Sequence, residues 1–278
     1  MANKKNNKNL HMKKIYLIMF ALMTVSFHAQ ENTTQATATK ETPKTYKVNK
    51  NKGKLLVNLG KVTIEGYKGN EIIFSLEDKI PAEDKRAAGL QAINALGLID
   101  NTGIGINVSD KDGILEVNPL KKISSPSIKI LVPENVIVSF KHQSQYGGNV
   151  VFRNMQNEIE IAATYNNVQL ENITGPATVK SIHGNVEAVF SQNVKGPLSI
   201  ISVYGHADVS LPKSIKANLK AITSYGEIYI SPDFKIEQDK KTEDHLIRHG
   251  DDLVGKVNGG GTDIEVRSDY SKIYLRAK

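Results

Sequence analysis

Cysteine and tryptophan are absent from this 278-residue sequence, and aromatic residues make up only 6% of it. Without cysteine the chain has no disulfides, no thiolate metal ligands, no cysteine nucleophile and no cysteine that could carry a lipid. With so few aromatic residues, a core of ordinary size must be built mainly from Val, Ile, Leu and Ala. The composition therefore favours a domain held together by aliphatic packing.

The first 29 residues have the pattern of a secretory signal peptide. Lys13 and Lys14 precede an apolar run from Ile15 to Phe27, and Ala29 follows it. The run has 13 residues, whereas a membrane-spanning helix needs about 20, so a permanent anchor is the weaker alternative. We predict a signal peptide at 1–29, an exported mature protein and no stable membrane span after cleavage.

The excess of positive charge belongs mostly to this leader. The formal charge of +7 includes five lysines and no acidic residue before position 30, so the mature chain has 31 basic against 29 acidic groups. A nearly balanced chain of this kind gives no reason to expect a nucleic-acid partner.

Residues 30–45 are rich in Thr, Ala, Asn and Lys without apolar periodicity, which predicts a flexible linker. From Tyr46 to Lys278 apolar residues recur at every second position, as in Leu55, Val57 and Leu59. This period is typical of strands with one face on a core, so we predict an all-β domain over 46–278.

Two segments depart from that period. Residues 81–98 begin with Pro81, end near Gly97 and carry Leu90, Ile93 and Leu96 at helical spacing, which predicts a single short helix. The helix would cap an open end of the β-structure, or alternatively contact a membrane or partner. Residues 232–256 are dense in charge around Glu237 to Asp252 and are predicted to form a protruding loop.

Internal repetition is the most informative feature. Short segments with an aromatic residue followed by a small or polar one recur at spacings of 19, 18, 21, 21 and then 45 residues. The predicted repeat corners are Tyr146-Gly147, Tyr165-Asn166, His183-Gly184, Tyr204-Gly205, Tyr225-Gly226 and Tyr270. Repeats near 20 residues with a tight turn fit the coils of a single-domain β-solenoid, which we expect to be right-handed and parallel, with coils of 18–21 residues.

The corner residues lead to two further expectations. Glycine or asparagine after the aromatic residue is expected to adopt positive φ at a tight corner. The aromatic residues are expected to form a ladder, which either covers the corner or offers a platform to sugar rings or a partner strand.

No pattern for catalysis or for a cofactor is found. His245 and His249 are four residues apart, but the glutamate of a zinc hydrolase signature is lacking, so no metal site is predicted. Most acidic residues alternate with core positions and are expected on an outer face. Glu187, Asp208 and Glu227 follow successive corners and could stack as an acidic stripe that binds cations or basic partners.

The repeat resembles a family of exported bacterial β-strand-repeat proteins labelled "putative adhesin", similar in style to the head domain of autotransporter adhesins. The residues that carry the resemblance are the Ser-x-Tyr-Gly corners, Asn172-Ile173-Thr174-Gly175-Pro176, Ser224-Tyr225-Gly226-Glu227-Ile228, and Asn258-Gly259-Gly260-Gly261 to Arg267-Ser268. The resemblance implies a β-solenoid without cofactor or catalytic residues.

We therefore predict a non-enzymatic, adhesin-like binding or scaffold module of the cell envelope, with an envelope protein or carbohydrate as partner. The last repeat runs to Lys278 without an appended sorting domain, which favours the periplasm over the cell surface. One alternative is a polysaccharide-active β-helix enzyme, which would need two carboxylates within about 10 Å in one groove. Another is a periplasmic envelope-stress sensor that contacts a membrane regulator.

Overall fold

The computed structural model describes residues 44–78, 85–238 and 251–278. The predicted signal peptide and residues 30–43 of the predicted linker lie outside the described residues, and strand β1 begins at Thr45, inside the predicted linker. In chain order the strands are β1 (Thr45–Val48), β2 (Gly53–Val57), β3 (Val62–Tyr67), β4 (Ile72–Leu76), β5 (Ile106–Lys111), β6 (Ile114–Pro119), β7 (Ile128–Pro133), β8 (Val136–His142), β9 (Val150–Arg153), β10 (Ile159–Ala163), β11 (Val168–Ile173), β12 (Ala177–Ser181), β13 (Val186–Phe190), β14 (Leu198–Ser202), β15 (Ala207–Leu211), β16 (Ala217–Ile222), β17 (Ile228–Ile230), β18 (Ile236–Gln238), β19 (Asp252–Val257), β20 (Thr262–Ser268) and β21 (Ile273–Ala277).

These strands form two sheets, and each coil of the solenoid contributes one strand to each sheet. The coils, in spatial order, are coil 1 (β6, β7), coil 2 (β2, β3), coil 3 (β8, β9), coil 4 (β10, β11), coil 5 (β12, β13), coil 6 (β14, β15), coil 7 (β20, β21) and coil 8 (β16, β17). All neighbouring coils pair in parallel. The all-β solenoid is confirmed.

The register places equivalent core residues on top of one another. Ile161, Val179, Ile200, Val266 and Ala221 are successive partners across five strands and are all buried. Partners from coil 4 to coil 5 are 18 residues apart, and partners from coil 5 to coil 6 are 21 apart. The alternating apolar pattern therefore produces continuous aliphatic ladders, as the repeat predicts.

The spatial order of the coils differs from their order in the sequence at both ends. The C-terminal coil 7 lies between coils 6 and 8, and the N-terminal coil 2 lies between coils 1 and 3. The repeat that comes last in the sequence is therefore not the last coil of the stack. The 45-residue spacing between Tyr225 and Tyr270 reflects this return of the chain into a gap between two coils.

Antiparallel strands extend the sheets beyond the terminal coils. β4 and then β1 follow coil 1 in one sheet, while β5 follows it in the other. Beyond coil 8, β19 pairs with β16 and β18 pairs with β19. The predicted charged loop is wrong where it overlaps β18 and β19, and its middle, 239–250, lies outside the described residues.

The predicted helix over 81–98 is wrong in its described part. Residues 81–84 lie outside the described residues, and from Lys85 onward the structure has one 3₁₀ turn (Lys85–Ala87) followed by turns and an isolated bridge between Ile93 and Ile99. A short helix is marginal in water unless its apolar stripe packs on a core. Here Leu90, Ile93 and Leu96 are exposed, so that packing is missing.

Candidate functional site

The corners of coils 4 to 8 have the same length. The strand registers leave four residues between equivalent strand positions of each coil, for example 182–185 between Ser181 and Val186. In coil 8 these residues are 224–227, because Ile222 pairs with Arg267 and Thr223 is therefore equivalent to Ser268. The second residue of each corner carries the predicted aromatic ring. These rings are Tyr165, His183, Tyr204, Tyr270 and Tyr225 in spatial order.

The five rings form one continuous stack. Ring centroids are 4.9 Å apart from Tyr165 to His183, 5.0 Å from His183 to Tyr204, 4.9 Å from Tyr204 to Tyr270 and 5.2 Å from Tyr270 to Tyr225. The interplanar angles are between 6° and 18°. Inside the stack each ring face is covered by a neighbouring ring, so only ring edges and hydroxyl groups meet solvent. This geometry supports the structural interpretation of the ladder over a platform for sugar rings, which bind ring faces.

The corner glycines are required for close approach and not for positive φ. Gly147, Gly184, Gly205 and Gly226 lie outside the left-handed region, so the positive-φ expectation is wrong. A Cβ on Gly184 would overlap the carbonyl oxygen of Asn166 in the next coil, and a Cβ on Gly226 would overlap that of Ser271. Neighbouring coils therefore touch through their corner backbones.

Buried hydroxyl groups form hydrogen bonds with the backbone of the corners. Ser202 Oγ donates to the carbonyl oxygen of Gly184 at 2.8 Å, and Ser268 Oγ donates to that of Gly205 at 2.9 Å. The Gly226 N–H donates to Thr223 Oγ1 at 2.8 Å. Because buried carbonyl and N–H groups without partners are costly, these hydroxyls stabilise the tight corners.

Tyr146 is not equivalent to the rings of the stack. The registers align His142 with Ala163 and Val150 with Val168, so seven residues, 143–149, form the corner of coil 3 where coil 4 has four. Three extra residues carry Tyr146 to a different position. Its placement in the predicted ladder is therefore wrong, although its spacing from Tyr165 fits the repeat.

A buried polar network holds this longer corner in place. Asn166 Nδ2 donates to the carbonyl oxygens of Gly60 and Gly148, each at 2.8 Å, and Asn166 Oδ1 lies 2.8 Å from His142 Nδ1. Since the Asn166 amide hydrogens are used on carbonyls, its Oδ1 is an acceptor and His142 Nδ1 must be the donor. Asn166 thus connects coil 4 to the corner of coil 2 and to the longer corner of coil 3.

The long corner forms one wall of a concavity of about 420 Å³, which we call the coil 3 concavity. Its lining includes Asn58, Gly60, Glu116, Lys121, Lys122, Ser125, Lys141, His142, Gln143, Ser144 and Tyr146. Three lysines face one glutamate, and Glu116 already accepts a hydrogen bond from Asn58 Nδ2 at 3.1 Å. The site is therefore basic.

Ser125 gives this concavity an unused hydrogen-bonding group. Its Oγ is withdrawn from solvent and has no hydrogen-bond partner within the described part of the chain. Such hydroxyls normally find a partner, so a ligand or an ordered water is expected there. The sequence prediction missed this site, because the three-residue excess between His142 and Val150 becomes apparent only from the strand registers.

The predicted acidic stripe does not form. Glu187 and Asp208 are cross-strand partners, but the next partners of Asp208 are Tyr274 and then Tyr229, because coil 7 enters between coils 6 and 8. Glu227 lies one residue before β17 and away from this row. The stripe prediction is wrong for Glu227, and the row changes from carboxylates to aromatic rings.

Basic side chains neutralise Asp208 and Glu227, the two carboxylates closest to the point where the row changes to aromatic rings. Arg276 donates to Asp208 through two nitrogens at 2.7 Å each, and Lys272 Nζ lies 3.2 Å from Glu227. The hydrogen bond from Tyr229 and the one from Lys272 lower the pKa of the Glu227 carboxyl. The row therefore offers no unpaired cluster of negative charge for cations.

One further depression, of about 600 Å³, contains two carboxylates. Asp263 and Glu265 are two residues apart on β20 and both line it. Asp263 accepts a hydrogen bond from Asn218 Nδ2 at 2.8 Å, and Lys220 Nζ lies 3.9 Å from Glu265. Side chains two apart on a strand share a face at roughly 7 Å, which meets the distance criterion for a sugar-cleaving pair.

Metal and membrane features were searched in residues 44–78, 85–238 and 251–278. Those residues contain no group of three or more His, Asp or Glu side chains placed to hold a metal ion. They also contain no helix with the length and hydropathy to cross a bilayer. His245 and His249 lie outside the described residues.

Comparison with known proteins gives a family and distant structural neighbours. A family model described as Toastrack DUF4097 matches residues 20–252. A "putative cell adhesion protein" from Clostridium sporogenes is 18% identical, with a TM-score of 0.45, covering 85% of this chain and 100% of that one. A "putative adhesin" from Bacteroides fragilis is 14% identical, with a TM-score of 0.37, covering 86% and 98%. No curated protein matches the chain.

Proposed function

This chain belongs to the Toastrack DUF4097 family and its described residues form a β-solenoid, and we propose a binding function for it. The protein is a non-enzymatic, adhesin-like module of the cell envelope that binds an anionic carbohydrate in the coil 3 concavity. Export rests on the leader at 1–29, and the periplasm is the proposed compartment.

The observation that carries this proposal is the combination of groups in the concavity. Tyr146 is half-exposed there, and its ring is not one of the five in the stack. An aromatic ring in the same concavity as the hydroxyl groups of Ser125 and Ser144 suits the alternating apolar and polar surface of a sugar. Lys121, Lys122 and Lys141 add attraction for carboxylate or phosphate groups on that sugar.

A glycan array probed with the full chain tests the proposal. We expect acidic polysaccharides to bind and neutral ones to bind much more weakly. Tyr146→Ala should abolish most of the signal, whereas Tyr204→Ala should leave it unchanged. These two tyrosines are matched, since Tyr146 is 50% exposed and Tyr204 is 51% exposed. Equal loss in both variants, or binding unaffected by Tyr146→Ala, would contradict the proposal.

An affinity pull-down from envelope extracts distinguishes the protein-partner alternative. If an inner-membrane protein is captured and an excess of acidic polysaccharide does not displace it, the stress-sensor function replaces the carbohydrate-binding one. Fractionation of cells that express the full chain tests the compartment. Recovery in the cytoplasm with residues 1–29 still attached would contradict export.

The second candidate function is polysaccharide cleavage, which the Asp263–Glu265 pair favours. A glycosidase acid needs a buried environment that keeps it protonated near neutral pH. Asp263 is exposed, and Glu265 has a lysine beside it. We therefore expect no release of reducing ends from any array-positive polysaccharide. Release that disappears in both Asp263→Asn and Glu265→Gln would establish the enzyme instead.

A further inference from the structure

Residues 88–98, which we call the apolar loop, expose large aliphatic side chains. Leu90 is 75% exposed, Ile93 is 68% exposed and Leu96 is 79% exposed. Single exposed aliphatic residues are common on soluble proteins, but several together in one short segment mark a contact surface. The apolar loop is therefore a candidate docking site.

Hydrogen bonds fix the backbone that carries these side chains. Asn94 Oδ1 accepts the N–H groups of Leu96 and Leu98, each at 2.9 Å. Ile93 forms a bridge with Ile99, and the Asn94 N–H donates to the carbonyl oxygen of Leu98 at 3.0 Å. The aliphatic groups are thus presented to solvent by an organised turn instead of being folded back onto the solenoid.

A basic segment adjoins the apolar loop. Asn94 Nδ2 donates to the carbonyl oxygen of Pro119 at 3.4 Å, which brings the loop next to Lys121, Lys122 and the exposed Ile123. Residues 85–99 and 119–127 together contain four basic residues and no acidic one. Exposed aliphatic groups beside lysines complement a surface that is apolar inside and negatively charged outside.

We infer that the apolar loop docks the protein on the surface of an anionic lipid bilayer. Leu90, Ile93 and Leu96 enter the boundary between headgroups and acyl chains, while Lys121 and Lys122 contact lipid phosphates. A second copy of the chain is a poorer occupant, because self-association would bring these lysines close to one another. The inference shares Lys121 and Lys122 with the proposed carbohydrate site, whereas Leu90, Ile93 and Leu96 lie outside the lining of that site.

The absence of cysteine makes a site-specific test possible. An environment-sensitive fluorophore is attached to Ile93→Cys in the full chain, and vesicles of phosphatidylglycerol or of phosphatidylcholine are added. We expect a blue shift with phosphatidylglycerol, a smaller one with phosphatidylcholine, and weakening of both by salt. The same fluorophore on Val189→Cys, an exposed position on β13, should not shift. Labelling Leu96→Cys provides an independent second position.

Variants identify the groups responsible. Leu90→Ser combined with Leu96→Ser should raise the lipid concentration at half-maximal shift at least about tenfold, from lost aliphatic burial. Leu90→Met with Leu96→Met should restore binding, and Lys121→Glu with Lys122→Glu should remove the preference for phosphatidylglycerol. Equal shifts at positions 93 and 189, or none at positions 93 and 96, would overturn the inference. A blue shift of the fluorophore that appears without vesicles when the protein concentration is raised, together with a doubled mass in light scattering, would assign the loop to self-association.

Discussion

At the residue scale, contacts between neighbouring corners decide which side chains are allowed. Gly184 and Gly148 both occupy corners, but only Gly184 faces a backbone oxygen at a distance that excludes a Cβ. A Cβ on Gly148 would meet only the Lys61 side chain, at 3.6 Å or more. Neither glycine has positive φ, so the two positions differ in available space and not in backbone conformation.

We expect Gly184→Ala to lower the free energy of unfolding by about 2–3 kcal/mol, since overlap forces coils 4 and 5 apart. Gly148→Ala should change it by less than about 0.5 kcal/mol. Urea unfolding followed by circular dichroism measures both. Equal effects in the two variants would show that close approach is not the reason for the corner glycine.

The aromatic stack should be measurable as stability. Tyr204 stacks on His183 and on Tyr270, so Tyr204→Ala should cost about 1–3 kcal/mol of unfolding free energy. Tyr146 is outside the stack, and Tyr146→Ala should cost less than about 1 kcal/mol. Thermal unfolding of the two variants provides the comparison, and a larger loss for Tyr146→Ala would contradict the assignment of the stack as structural.

At the element scale, the segment between β4 and β5 is organised by side-chain hydrogen bonds and not by a helix. Asp100 accepts hydrogen bonds from the N–H groups of Thr102, Gly103 and Gly105 at 2.8 to 2.9 Å. Desolvation by partial burial raises the pKa of the Asp100 carboxyl, but hydrogen bonds led by that from Thr102 outweigh it, and the pKa is lowered. One carboxylate therefore closes the turn that precedes β5.

Because the folded pKa of Asp100 is lowered, its contribution to stability is present above the unfolded pKa of about 3.9 and is lost as pH falls through the folded value. We expect Asp100→Asn to destabilise by about 1–2 kcal/mol at pH 7, and by progressively less as pH falls below about 4. Asp112→Asn, in an exposed turn where Asn tolerates φ of 51°, should have little effect. A loss that does not change with pH would contradict the role of the charge.

At the scale of the whole described domain, the coil that comes last in the sequence lies inside the stack of coils. β20 and β21 each have a parallel strand on both sides, and Val266 is fully buried between Ile200 and Ala221. These two strands lie beyond residue 252, where the family match ends. The C-terminal segment is therefore a central structural element.

We expect Val266→Ala to cost about 2 kcal/mol, because it leaves a cavity between two coils. Val254→Ala, at a partly exposed position on β19, should cost less than about 1 kcal/mol. Denaturant unfolding of the two variants tests this difference. A similar cost for both would show that β20 does not lie in the interior of the stack.

Hydrogen exchange provides a test that needs no mutation. Terminal segments usually exchange quickly, because they open locally without global unfolding. Amides of Ile264, Val266 and Ile273 should instead exchange as slowly as those of Val179 and Ile200 in coils 5 and 6. Rapid exchange at all three C-terminal positions would contradict insertion of coil 7 between coils 6 and 8.

The alternation of apolar residues and the recurrence of Tyr165, His183 and Tyr204 predicted strands, coil length and stacking from the sequence. Those features depend on neighbours in the chain and on a short repeat, so local information is enough. The prediction of a helix over 81–98 was wrong because an apolar stripe at helical spacing does not show whether a core is present to cover it. Glu227 was misplaced because an acidic stripe depends on which coils are adjacent.

The amino-acid sequence by itself determined the all-β character, the period of 18–21 residues and the aliphatic core, because backbone geometry and burial act on each repeat separately. Only the tertiary structure decided that coils 2 and 7 enter between other coils, that the corner of coil 3 forms a basic concavity, and that the apolar loop stays exposed. The reason is that sequence separation does not specify which strands become neighbours, and contacts between distant segments fix both the order of the coils and the surfaces they leave open.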